Sequence, residues 1–169
     1  DYLRISVTDR CNLRCIYCMP EEGIRLTERE KILQEPEILR VCKVMSELGI
    51  TKIKITGGEP LVRPRIPELI RQIKEISGIE KVTLTTNGIL LKEQMQALAD
   101  AGLDSLNISL DTLDGECFCK ITRRNLLDET LEGIREAMKY PEVQLKLNCV
   151  PLGMEGQDFC GIAECVLSK

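Results

Sequence analysis

Histidine and tryptophan are absent from the 169 residues, and the aromatics amount to three tyrosines and two phenylalanines. Without histidine the chain has no imidazole zinc ligand, no His-activated nucleophile and no His general base. So few aromatics, with 23 basic against 27 acidic residues and a net charge of −4, give no basic, ring-studded face for nucleic acid. No apolar run approaches the roughly 20 residues that span a membrane, and no signal-peptide pattern opens the chain, so a cytoplasmic protein with no membrane partner is expected. The first residue is Asp1 rather than Met, which suggests a trimmed chain or a fragment.

Cysteine, by contrast, is plentiful. Nine thiols, an odd number without secretory features, argue against a disulfide framework and for metal binding plus scattered thiols. Cys11, Cys15 and Cys18 fall within the run Cys11-Asn-Leu-Arg-Cys15-Ile-Tyr-Cys18, directly after the strand-like Leu3-Arg-Ile-Ser-Val-Thr8. A [4Fe–4S] cube normally takes four cysteines. A loop offering three leaves one iron open, as a catalytic metal keeps an open position, and an open iron points to chemistry rather than electron storage. A zinc-stabilised loop is the plainer alternative. Cys42 and Cys149 lie on apolar faces and read as small core residues.

The apolar period switches between two and about 3.6 along the chain, the grammar of alternating strands and helices. Helical stripes run through Ile38, Val41, Cys42, Met45 and Leu48; Ile66, Leu69, Ile70, Ile73 and Ile76; Leu91, Met95, Leu98 and Ala99; and Leu127, Leu131, Ile134 and Met138, with a weaker one near Phe159 to Leu167. Strands are expected near residues 3–8, 53–56, 82–85, 106–110 and 143–150. About five strand–helix units imply an α/β fold with a parallel sheet and right-handed crossovers. A closed eight-unit barrel takes about 250 residues, so an open, partial β/α barrel is expected, in one domain over residues 1–169.

One face of each strand is apolar and should meet the helices. The other reads Arg4, Ser6, Thr8; Lys54, Thr56; Thr83, Thr85; Asn107, Ser109; and Gln144, Lys146, Asn148. A barrel interior built for stability alone is filled by branched aliphatics, and a polar interior is costly unless a ligand or water satisfies it. Arg4, Lys54 and Lys146 place cations there with no carboxylate on the same faces, and unpaired buried cations are expensive, so an anionic ligand such as a triphosphate is expected.

Two further motifs follow strand-like runs: Gly57-Gly58-Glu59-Pro60 and Thr85-Thr86-Asn87-Gly88. Glycines and proline simply mark turns, but at the carboxyl end of a parallel strand they stand where ligands of such sheets bind. The three-cysteine loop followed by this G-G-E-P turn resembles the radical S-adenosylmethionine (radical SAM) enzymes. The surrounding Thr8-Asp9-Arg10-Cys11-Asn12, Tyr17-Cys18-Met19-Pro20, Ile55-Thr56-Gly57-Gly58-Glu59-Pro60-Leu61 and Asn107-Ile108-Ser109-Leu110-Asp111 resemble, within them, the GTP 3′,8-cyclase family of molybdenum cofactor biosynthesis, from about residue 2 to about residue 150.

That resemblance implies a lyase in which Cys11, Cys15 and Cys18 ligate a [4Fe–4S] cluster and S-adenosylmethionine occupies the open iron. Tyr17, Gly58 and Ser109 match its cofactor contacts; Tyr17 reads equally as an aromatic covering the cluster, and Ser109 as a residue satisfying local backbone. Arg4, Lys54, Thr85 and Lys146, all selected by the polar strand faces, match its GTP contacts, with Lys54 where the family commonly has arginine. The resemblance also implies a low-potential electron donor and leaves a homodimer open. A second, C-terminal cluster belongs to the family but has no counterpart in these residues, so Cys117, Cys119, Cys160 and Cys165 are expected to be non-ligand thiols and the chain not to be competent for full turnover. The alternatives are another radical SAM enzyme, acting on a peptide or small molecule, and a zinc or iron–sulfur binding module without catalysis.

Overall fold

Alternate positions in the strand segments are branched aliphatics, and each helix carries one apolar stripe, so the two kinds of element can cover each other only by packing helices across a sheet. The computed structural model, which describes residues 1–167 apart from the side chains of residues 29 and 165–167, has this arrangement. Strands β1 (Tyr2–Ser6), β2 (Lys52–Thr56), β3 (Lys81–Thr86), β4 (Ser105–Ser109) and β5 (Gln144–Asn148) form one sheet in the order β1-β2-β3-β4-β5. Every neighbouring pair is parallel. Helices α1 (Glu35–Glu47), α2 (Ile66–Lys74), α3 (Leu91–Asp100), α4 (Gly115–Thr122) and α5 (Leu127–Ala137) fill the connections, and α6 (Phe159–Leu167) follows β5. The sheet does not close on itself, since β1 and β5 pair on one side only. This is the open, partial barrel expected.

Ile53, Ile55, Val82, Leu84, Leu106 and Ile108 are all but inaccessible, as are Ile66, Leu69, Ile70 and Ile73 of α2 and Leu91, Met95 and Leu98 of α3. Pro36 stands in the first turn of α1, and the Glu37 carboxylate accepts the Gln34 N–H at 2.7 Å, closing that helix's start as an N3 acid does. The α1 stripe is narrower than expected. Ile38 and Cys42 are buried, but Val41, Val44 and Leu48 are exposed, as befits a helix that lies toward one edge of the sheet, in the β1–β2 connection, with α2 as its main helical neighbour. Helix α4 has no counterpart among the expected elements. Asp114 caps it, accepting the Cys117 N–H at 2.7 Å, and Arg123 ends it in the left-handed region at φ 55°. A segment of only eight residues gives little periodicity to read, though Asp114 was a legible N-cap signal.

Helix α5 approaches the turn after β3 unusually closely: a Cβ at Gly133 would overlap the Gly88 carbonyl. Only glycine lets the helix seat there, and the turn it presses on is the Thr86-Asn87-Gly88 end of β3. No helix among the described residues is long and apolar enough to cross a membrane.

Candidate functional site: a three-cysteine cavity at the carboxyl end of the sheet

The β1–β2 pairing does not stop at the strand ends. Val7 N–H donates to the Thr56 carbonyl at 2.9 Å, Gly58 N–H to Thr8 at 2.7 Å and Glu59 N–H to Arg10 at 2.7 Å. The Gly57-Gly58-Glu59 turn is thereby laced to the chain up to the residue before Cys11. Gly58 is glycine for a definite reason: any Cβ would overlap the Arg10 carbonyl.

Glu59 then ties this turn to the next strand. Its side chain is buried, with Oε1 accepting Leu61 N–H at 3.0 Å and the Thr86 hydroxyl at 2.8 Å, while Oε2 accepts Asn87 N–H at 2.7 Å. Asn87 in turn donates through Nδ2 to Asn12 Oδ1 at 2.6 Å, reaching the cysteine loop. Burial pushes the Glu59 carboxyl above its ordinary pKa, opposed by the three donors.

From the other side α4 holds the loop. Arg14 N–H and Ile16 N–H donate to the Thr122 and Ile121 carbonyls at 2.9 Å each. The Arg123 guanidinium reaches the Arg14 and Met19 carbonyls at 2.8 and 3.1 Å, and Arg14 folds back on the Cys11 and Leu13 carbonyls at 2.8 Å. The loop is thus shaped by backbone bonds and two arginine side chains rather than by any bond between its thiols.

Those thiols face one cavity of about 160 Å³, lined by Cys11, Cys15 and Cys18 together with Tyr17, Gly58, Thr85 and Ser109, and completed by Glu59, Asn87 and Asp111 among others. Leu13 N–H points at Cys11 Sγ at 3.4 Å, the kind of hydrogen bond that tunes a cluster's potential. Burial raises the Cys11 thiol's pKa and pushes that of Cys15 to about 11, so metal binding must displace their protons. Tyr17 is likewise raised, by burial and then by its hydroxyl's bond to Asp111 Oδ2 at 2.7 Å. Thr85 Oγ1 is buried without a hydrogen-bond partner among the described residues.

The cations lie apart from this cavity. Arg4 and Lys54 are register partners on β1 and β2, while Lys146 pairs with Asn107 one row nearer the carboxyl end. From β2 to β5 is three strand steps, roughly 14 Å on a flat sheet. Arg4 and Lys146 are exposed and Lys54 half-buried, so the expected cost of burying unpaired charge is not incurred on this open sheet. Water solvates them, and the case for an anion rests on their lack of carboxylate partners among the described residues. Of the remaining thiols, Cys42 and Cys117 are buried, Cys149 is half-buried with its S–H directed at the Asp111 carbonyl at 3.6 Å, and Cys119 and Cys160 are exposed. The side chain of Cys165 lies outside the described residues.

The Radical SAM superfamily model matches residues 5–163. The chain belongs to the radical SAM superfamily. Relatives within it include a "GTP 3′,8-cyclase" of Peptoclostridium acidaminophilum, 52% identical over 90% of this chain and 47% of that protein. Another is "Molybdenum cofactor biosynthesis protein 1" of Dictyostelium discoideum, 46% identical over 99% of this chain and 27% of that protein. The chain thus spans less than half the length of these relatives. Among solved structures, Streptococcus suis SuiB bound to S-adenosylmethionine superposes over 99% of this chain and 36% of its own, with TM-score 0.79 at 20% identity; at that identity the likeness shows the fold.

The residues present suit the superfamily's cofactors. Three thiols converge on one cavity, held by a loop that does not need them for its own shape. Among the described residues no three His, Cys, Asp or Glu side chains meet at one ion-sized site. A cubane asks for less convergence than a single ion, since each thiolate binds a different iron. The same cavity offers a ring, a serine hydroxyl and an unpartnered threonine hydroxyl beyond the thiols, which are groups for an organic ligand with polar edges. Asn12, Asn87, Asp111 and Arg123 went unassigned in the sequence, because their work is to hold other residues rather than to touch a ligand by type.

Proposed function

We propose that this chain is the radical SAM core, one domain over residues 1–169, of a GTP 3′,8-cyclase acting in molybdenum cofactor biosynthesis. The observation that supports this best is the gathering of Cys11, Cys15, Cys18, Tyr17, Gly58, Thr85 and Ser109 around a single cavity, in a chain whose relatives carry that name. Cys11, Cys15 and Cys18 would hold a [4Fe–4S] cluster. Gly58 and Ser109 would receive the methionine end of S-adenosylmethionine, with Tyr17 beside it. Bound there, the cluster and S-adenosylmethionine would supply the radical chemistry that joins the ribose C3′ of GTP to guanine C8.

Arg4, Lys54, Thr85 and Lys146 would hold the nucleotide against the polar face, fixing the ribose relative to the cavity. The protein's contribution is position and exclusion of water, since the radical chemistry is the cofactor's. This reading requires a low-potential electron donor, suits a cytoplasmic setting, and admits a homodimer.

Nucleotide binding tests it. Lys146→Ala should weaken GTP binding by about 1–2 kcal/mol, the scale of one charge-assisted hydrogen bond at an exposed site. Lys54→Arg should match or strengthen it, because a guanidinium adds a two-pronged contact to the same charge. If titration calorimetry at matched salt finds both variants equal to the parent, the substrate is not held by this face.

A further inference from the structure

Asp111 stands two residues beyond β4, in the wall of the three-cysteine cavity, and is 6% exposed. Its two carboxylate oxygens have different employers. Oδ2 accepts the Tyr17 hydroxyl at 2.7 Å, and Oδ1 accepts Val150 N–H at 2.8 Å. The first bond crosses 94 residues of sequence to the middle of the cysteine loop; the second fixes the chain as it leaves β5. Asp111 is itself immobilised, because its carbonyl accepts Gln157 Nε2 at 3.0 Å and Leu110 N–H is bound to the Asn148 carbonyl at 2.9 Å.

Tyr17 is in the opposite situation. It sits between two of the proposed thiol ligands, the residue is nearly half exposed at 44%, and, with the Cys15 thiol beside it in its own loop, Asp111 is the partner its hydroxyl reaches outside that loop among the described residues. The Asp111 bond is what ties the ring to the far end of the sheet rather than to its own loop. A carboxylate accepting from a phenol makes a short, charge-assisted bond, and its direction sets the ring's plane.

We infer that Asp111 is a positioning residue for the cofactor: it holds the Tyr17 ring in the plane that S-adenosylmethionine packs against. The bland alternative is that Asp111 only closes the β4–β5 end through Val150, with Tyr17 a bystander. The inference rests on the reading of Tyr17 as a cofactor contact and adds what keeps it in place.

Four variants separate the cases: Asp111→Asn, Tyr17→Phe, the two combined, and Tyr17→Ala. Tyr17→Phe keeps the ring and removes only the hydroxyl, so it remains informative if Asp111→Asn folds poorly. The first readout is tyrosine emission of the metal-free chain, which has no tryptophan to mask it. Hydrogen bonding to a carboxylate quenches a phenol, so Asp111→Asn should brighten emission in the parent and leave it unchanged in the Tyr17→Phe background.

The second readout is S-adenosylmethionine affinity of the iron–sulfur-reconstituted chain. Asp111→Asn and Tyr17→Phe should each weaken it by about five- to tenfold, the range for losing an oriented, charge-assisted contact, and the double variant should be no weaker than the worse single one. Additive losses, or Asp111→Asn binding normally while Tyr17→Ala does not, would overturn the inference and leave the cofactor reading standing. Normal binding by Tyr17→Ala would bring down the cofactor reading of Tyr17 itself, and the inference with it.

Discussion

Replacing Cys11, Cys15 and Cys18 together with alanine leaves a folded chain that takes up no cluster. The loop should survive because its shape comes from elsewhere: Gly58 and Glu59 N–H on the Thr8 and Arg10 carbonyls, Arg14 and Ile16 N–H on Thr122 and Ile121, and Arg123 on Arg14 and Met19. After anaerobic reconstitution the parent should carry about four irons per chain and the triple variant essentially none, with circular dichroism unchanged. Cys42 and Cys117 are buried in separate elements, Cys149 is half-buried just beyond β5, and Cys119 and Cys160 are exposed on different helices, so among the described residues no second set stands ready to compensate. Retention of about four irons by the triple variant would refute the ligand assignment.

Glu59→Gln should cost about 2 kcal/mol of folding stability, a fall in melting temperature of roughly 4–8 °C for a chain of this size. Three donors converge on two carboxylate oxygens. An amide has one acceptor oxygen, so whichever way it turns, its NH2 faces either Asn87 N–H or the Leu61 and Thr86 donors. Glu59→Ala should cost more, by leaving those donors unpaired in a buried place. The damage reaches the site as well, because Asn87 links Glu59 to Asn12 beside Cys11.

The cost also depends on pH. Burial raises the folded-state pKa of Glu59 above its unfolded value, so its contribution is complete below the ordinary carboxylate range and falls as pH rises through the raised value. Glutamine does not titrate. The stability gap between parent and Glu59→Gln in denaturant unfolding should therefore be wider at about pH 4 than at about pH 8; a gap that widens with pH would show that the three hydrogen bonds outweigh burial.

Much of this arrangement was legible in the residues. The strands were readable because each alternates aliphatic and polar residues at period two, and the parallel order follows from the intervening helices. That Cys11, Cys15 and Cys18 would gather at one place was readable from their spacing in a single loop after β1. Less legible was everything that depends on how far the sheet closes. The cost assigned to Arg4 and Lys146 presumed a lined interior, and an open sheet leaves both in water. The holding residues were hidden for another reason: Asp111 looks like any loop aspartate until the fold brings Tyr17 from 94 positions away, and Arg123 gains its role only at the end of a helix too short to announce itself. Gly58 was marked for a close ligand, yet its missing Cβ already serves the Arg10 carbonyl.

The central claim is that one cavity holds both an incompletely ligated cluster and S-adenosylmethionine. The most direct measurement is the electron paramagnetic resonance spectrum of the reduced, reconstituted chain with and without S-adenosylmethionine. Binding of the amino and carboxylate groups to the open iron should change the signal's g-values and line shape, and the Cys11→Ala, Cys15→Ala, Cys18→Ala triple variant should give no signal in either state. A reduced cluster whose spectrum is the same with saturating S-adenosylmethionine as without it would contradict the account, since it would mean that the cluster has no open iron or that the cavity does not receive the cofactor.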